Sequence, residues 1–204
     1  MKLPNAEQEC LPWRIHDLVS DFTLEDVWAL PTRGGPDDFQ ALLDLGGSFD
    51  PSKAESRPTR FLWNLRDRLG KWFDLGEISA PVAGDADGEL QIPGTAETSL
   101  RGRLPADLRG TAADFTFDSL PFVPLYRTDR EAAAEISNKT VHAVGHLSWV
   151  DVGGDRYEGR MAVYVKPRGA FGRAYMALIK PFRYWIVYPA LMRQMERAWD
   201  ARGV

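Results

Sequence analysis

The residues with the clearest chemical potential lie close together in the second half of the chain. Glu135 ends the run Glu131-Ala132-Ala133-Ala134-Glu135, and two histidines follow in Thr140-Val141-His142-Ala143-Val144-Gly145-His146. A buried carboxylate beside imidazoles is an acid/base pair in the making, so Glu135, His142 and His146 are the candidate catalytic residues. Their other obvious chemistry is metal binding. Histidines four apart on a helix would share an ion. The surrounding Val, Thr and Trp residues make this segment a strand, where four residues span roughly 13 Å. The two rings then share a face but not a zinc ion, and no second His or Cys cluster completes a set. No metal and no cofactor are expected, since the chain has neither a Gly-rich phosphate loop nor a G-x-S-x-G elbow.

The strand that carries the histidines alternates. Thr140, His142, Val144, His146 and Ser148 fall on one side, and Val141, Ala143, Gly145, Leu147 and Trp149 on the other. The polar row is either a solvated face or the wall of a pocket. Neighbouring segments read the same way. Residues 120–128, 131–136 and 157–166 have strand character, and Asp151 to Asp155, with two glycines, forms a hairpin turn.

Two helices precede these strands. One, capped by Asp37 or Asp38, carries Phe39, Leu42 and Leu43 and stops near Gly46-Gly47. The other spans 59–73 with Phe61, Leu62, Leu65, Leu69 and Trp72 on one face. Pro31 to Pro36 reads as a turn. Residues 1–12 read as a flexible arm, and 77–118 as an irregular insert inside a single domain running from 13 to 204. The longest element is a helix over 171–199. Phe171, Tyr175, Leu178, Phe182, Trp185, Pro189, Met192 and Trp199 recur along it at steps of three or four. This stripe is expected to lie on the sheet, with Pro181 and Pro189 kinking the helix over its twist. On that reading Trp185 is buried, and Trp185→Ala costs about 3–5 kcal/mol.

Strands beside a covering helix make an α+β domain. In that order, and in the residues Glu131 to Glu135, Thr140-Val141-His142, His146-Leu147, Val163 to Pro167, Phe171-Gly172-Arg173-Ala174-Tyr175, Lys180-Pro181-Phe182-Arg183 and Ile186-Val187, the chain resembles the bacterial DUF2867 family. It also resembles, in outline, the helix-grip fold of the START/Bet v 1-like (SRPBCC) superfamily. The resemblance implies an antiparallel sheet wrapped around the C-terminal helix, with an apolar pocket between them. It implies a small hydrophobic or aromatic ligand, or chemistry like that of the polyketide cyclase and aromatase relatives.

Trp28, Trp63, Tyr164, Phe182 and Trp185 are candidates to bound such a pocket. Tyr175 and Arg173, at the start of the helix, are candidates to meet the ligand. A cation is electrostatically misplaced at a helix start, so Arg173 either pairs with Glu131 or Glu135 or holds an anionic group. Each aromatic could equally fill a core.

Composition bounds the rest. The chain has 204 residues, 44% hydrophobic and 26% charged, and a net charge of −4. A nucleic-acid partner is not expected without a basic footprint. Cys10 is the only cysteine, so no intrachain disulfide can form. No signal-like segment and no run of about 18 apolar residues occurs, which points to a cytoplasmic protein without stable membrane insertion. The basic, aromatic C-terminal helix could lie on a membrane surface, but counting its stripe as core leaves nothing to bind there. A ligand-free interaction module, forming a homodimer through a sheet edge or the basic helix, is the remaining alternative.

Overall fold

The computed structural model describes residues 1–48, 99–118, 120, 122–137 and 140–203. The helix expected over 59–73, with Trp63, and the region 77–98 lie outside these. The described elements run β1 (Lys2–Leu3), α1 (Ala6–Glu9), α2 (Ile15–Leu18), β2 (Thr23–Gly34) and α3 (Phe39–Gly47). Short 3-10 turns follow at Leu100–Arg103 and Ala106–Leu108. Then come β3 (Val123–Arg127), β4 (Glu131–Ser137), β5 (Val141–Asp151), β6 (Tyr157–Pro167), α4 (Gly169–Phe182), a π turn (Arg183–Val187) and α5 (Tyr188–Asp200), with a last 3-10 turn at Ala201–Gly203. The strands form one antiparallel sheet in the order β1-β2-β6-β5-β4-β3. The domain is therefore α+β, a six-stranded antiparallel sheet with a long C-terminal helix.

Strands β3 to β6 form a meander because each is followed by turn-forming residues. The β5–β6 turn shows the mechanism. Gly153, Gly154 and Asp155 all have positive φ, at 91°, 66° and 54°, and Gly153 N–H donates to the Asp151 carboxylate at 2.7 Å. Two glycines remove most of the steric cost of that left-handed run.

Direct partners across the strands assign the two sheet faces. Glu131, Ala133 and Glu135 of β4, His142, Val144 and His146 of β5, and Ala162 and Tyr164 of β6 share one face. This face is covered by the N-terminal segment and the 100–108 turns, through Leu3, Ile15, Leu18, Leu100, Leu104 and Leu108. On the other face lie Ala132, Ala134, Gly145, Leu147, Met161 and Val163. It packs against α3 and the C-terminal helix, with Phe39, Leu42, Leu43 and Met195 buried there. Trp149 is fully buried on this side. Its ring lies parallel to Tyr157 at 6.3 Å, and its indole N–H donates to the Gly35 carbonyl at 2.9 Å.

Several expectations are corrected. Residues 1–12 are not a loose arm: Lys2 and Leu3 pair with Trp28 and Val27, and Gln8 is fully buried. The turn expected from Pro31 is a continuation of β2 to Gly34. A register irregularity between Ala29 and Arg33 lets a residue without an N–H sit in the strand. Within the segment read as an irregular insert, Leu100–Arg103 forms a 3-10 turn.

The largest correction concerns the aromatic stripe. Trp185 is 80% exposed, and Phe171, Leu178 and Phe182 are exposed as well. The helix turns Gly172, Met176, Tyr188 and Met195 inward instead. Gly172 permits the closest approach, because a Cβ there would collide with the Thr140 carbonyl. Where a kink is expected, a π turn lies between the two prolines, with Tyr188 N–H reaching back five residues to the Arg183 carbonyl. Trp185→Ala is therefore expected to move stability by no more than about 0.5 kcal/mol, and Trp149→Ala to cost about 3–5 kcal/mol. Urea denaturation of the two variants checks this; equal losses would contradict the placement of the helix.

Candidate functional site

Glu135 meets His142, while His146 meets Glu131 instead, in two polar clusters on the sheet face covered by the N-terminal segment. Glu131 and Glu135 are four apart on β4, and His142 and His146 are four apart on β5. On a strand each pair shares a face. The antiparallel register sets Ala133 opposite His146 and Ser137 opposite His142, so each imidazole sits diagonal to a carboxylate. His142 Nε2 lies 2.9 Å from Glu135 Oε2, and His146 Nε2 lies 2.9 Å from Glu131 Oε2. All four side chains are buried, and the row Thr140 to Ser148 is neither solvated nor open.

Further donors complete each carboxylate. Glu131 accepts from the Arg14 backbone N–H at 2.9 Å and from the Tyr126 hydroxyl at 2.7 Å. Glu135 accepts from the Leu100 N–H at 3.1 Å and, closely, from the Ser99 hydroxyl. Gln8 Nε2 lies 3.0 Å from His146 Nδ1 and 3.2 Å from the Tyr164 hydroxyl.

This geometry assigns the protons of the inner pair. Gln8 donates to His146 Nδ1, so the imidazole carries its hydrogen on Nε2 and gives it to Glu131. Burial depresses the basicity of His146 and outweighs the pull of Glu131 in the other direction. Burial alone would raise Glu131, but the donors from His146, Arg14 and Tyr126 outweigh it and leave it below its ordinary value. A neutral imidazole donating to an ionised carboxylate satisfies both. Burial likewise pushes Tyr126 well up, and Tyr164 up to about 12.

Chemically, this is a closed set. Ser99, Glu135 and His142 lack the order of a nucleophilic triad, because the carboxylate stands between the hydroxyl and the imidazole, and among the described residues no imidazole bonds to Ser99 Oγ. Among the described residues no group of three or more His, Cys, Asp or Glu could hold a metal ion.

The other candidates are scattered. Tyr164 belongs to the buried network, on the sheet face away from the C-terminal helix. Arg173 is exposed on α4 and does not meet Glu131 or Glu135, which lie across the sheet; Tyr175 is half-buried there. Phe182 and Trp185 point to solvent. Of the described candidates only Trp28 borders the space between sheet and helix, with its ring 4.6 Å from Tyr188 and 6.0 Å from Tyr184.

Beside Trp28 is a second polar cluster that sequence reasoning missed. A bulge between Leu24 and Asp26 turns Asp26 to the helix side of the sheet. Asp26 is fully buried and accepts from Tyr188 at 2.8 Å, and also, closely, from Tyr184 and Arg183. The π turn makes this possible by bringing residues 183, 184 and 188 to one side. The spacing of Glu131/Glu135 and His142/His146 was a usable signal for the first network. Nothing comparable flagged the second, since a bulge leaves no clear mark in the sequence.

The His146–Glu131 pair has a pH consequence. The folded imidazole is depressed, so the unfolded chain takes up a proton first as pH falls through about 6.5. Its contribution to stability is full above that value and declines below it. Glu131, also depressed, adds a further loss below about 4.5. His146→Phe, which removes one of the three donors to the buried Glu131 carboxylate, should cost about 1.5–3 kcal/mol and flatten the decline in urea midpoint between pH 7 and 5.5. An unchanged pH slope in that variant would contradict the assignment.

A family model described as "Protein of unknown function (DUF2867)" matches residues 18–190. No curated protein and no solved structure gives a significant match. The match spans both sheet faces and most of the C-terminal helix, and the chain belongs to the DUF2867 family.

Proposed function

We propose that this protein binds a small apolar or aromatic molecule between the sheet and the C-terminal helix, in a domain of the helix-grip type. The observation that carries the reading is the middle of the helix-facing sheet surface. Ala143, Gly145, Leu147, Met161 and Val163 are only half-buried, although they sit on the central strands of a six-stranded sheet. Their neighbours on β4, Ala132 and Ala134, are buried but have only methyl side chains. The small residues Ala132, Ala134, Ala143 and Gly145, beside the larger Leu147, Met161, Phe122, Leu191 and Met192, make a shallow apolar floor of the kind that takes a ligand. The buried Trp28 indole N–H has no acceptor among the described residues and would orient a ligand through an oxygen atom. The strand order supports the fold reading: the first long strand lies next to the last, and the C-terminal helix follows directly.

The cyclase-like reading draws less support, because Glu135, His142 and His146 are sealed on the opposite face. A proton shuttle must come within hydrogen-bond reach of its substrate.

Gly145 provides the test. A Cβ at this position would lie 3.7 Å from Phe122, an ordinary contact, so Gly145→Leu should fill the floor without a backbone clash. Displacement of 1-anilinonaphthalene-8-sulfonate by medium-chain fatty acids measures binding. The expected result is a loss of at least tenfold in Gly145→Leu, with stability changed by about 1 kcal/mol or less. A folded Gly145→Leu that binds both probes like the parent would refute the proposal.

A further inference from the structure

We propose that α4 and the π turn dock the protein peripherally on an anionic lipid bilayer. This stands independently of whether the sheet holds a ligand. Phe171, Leu178 and Phe182 follow one another at steps of seven and four, which places them on one side of α4. Trp185 continues the row into the π turn. These four side chains are between 44% and 80% exposed. Between them lie only Ala174, Ala177 and Pro181 as other exposed apolar residues, so the outward surface is a continuous apolar strip. The helix cannot roll to bury it. Arg183, Tyr184 and Tyr188 are held by buried Asp26, and Gly172 is in contact with the backbone before β5.

The charges around the strip identify what covers it. From residue 159 to residue 195 the chain has no Asp or Glu and seven Lys or Arg, in a protein whose net charge is −4. Arg160, Lys166 and Arg183 are engaged with carboxylates elsewhere in the fold. Arg173 and Lys180, seven apart on α4, form an exposed row that meets no carboxylate among the described residues. Long cationic side chains beside an aromatic strip suit a headgroup layer, where the rings enter the interface and the cations reach the phosphates. A second copy of the chain fits less well. Pairing two such faces would bring both cationic rows together, with no carboxylate on either helix to offset them. The membrane contact is interfacial, since no described helix is long and apolar enough to cross a bilayer.

Co-flotation with vesicles tests this. One set is phosphatidylcholine alone, and the other is phosphatidylcholine mixed with phosphatidylglycerol. The intact protein should float with the anionic vesicles, not with the neutral ones, and should be released by salt. The double variants Phe182→Ser/Trp185→Ser and Arg173→Glu/Lys180→Glu should each reduce the bound fraction at least tenfold. Their circular dichroism should match the parent, because all four positions are exposed. Failure of the parent to float with anionic vesicles would overturn the proposal, as would equal flotation of the folded variants. A dimer in sedimentation equilibrium that Trp185→Ser dissolves would assign the strip to a second copy and overturn it equally.

Discussion

A carboxylate can be buried only if donors replace the water it loses, and β4 buries two of them on one face of the sheet. Glu131 and Glu135 draw their donors from different parts of the chain: an imidazole each from β5, backbone N–H groups from Arg14 and Leu100, and hydroxyls from Tyr126 and Ser99. The cover of this sheet face is thereby fixed to the sheet by polar contacts as well as by its leucines. The same pairs enforce the β4–β5 register. A slip of one residue would carry both histidines to the opposite face and strand both carboxylates. Burial at this density makes the network a specificity device: each part is useful only when every other part is in place.

The helix side obeys a related rule with a different result. Asp26 is turned to this face by a bulge and must also be satisfied, and its donors come from the π turn of the C-terminal helix. That tether chooses which side of the helix faces inward. Met176, Arg183, Tyr188 and Met195 go in, and Phe171, Leu178, Phe182 and Trp185 stay out. The result is a sheet with one face closed by a polar lock, and another whose small central residues stay half-buried beneath the helix.

Much of the second half was legible in the sequence, for identifiable reasons. Strands β3, β5 and β6 announce themselves by β-branched and aromatic runs between strong turn residues, and the alanine-rich β4 by the turn residues on either side of it. Helix α3 does so by its Phe39, Leu42 and Leu43 spacing, although the Asp38 side chain accepts from Gly35 N–H and caps no N–H of the helix. The histidines on a common face follow from strand period alone. Periodicity shows which residues share a face, but not what that face meets. The polar row of β5 therefore looked like a solvated face or a pocket wall and is a buried network. The aromatic stripe looked like core throughout; Met192 and Trp199 do pack on the sheet side, but Phe171, Leu178, Phe182 and Trp185 face solvent, because a single buried aspartate at a bulge outranks them in orienting the helix. The N-terminal residues looked loose because they are polar, yet their Gln8 is polar in order to reach His146. Irregular backbone at Pro31 and Asp26 was invisible for the reason that bulges generally are: they change pairing without changing composition.

On the proposed function the two sheet faces divide the work: the His–Glu face is closed and structural, and the helix face takes the ligand. Chemical-shift mapping during titration with a medium-chain fatty acid tests it most directly. The account predicts shifts at Ala143, Gly145, Met161 and the Trp28 indole N–H, with the ring signals of His142 and His146 unmoved. Shifts of the histidine rings without any at Gly145 and Met161 would place the ligand on the wrong face and contradict it.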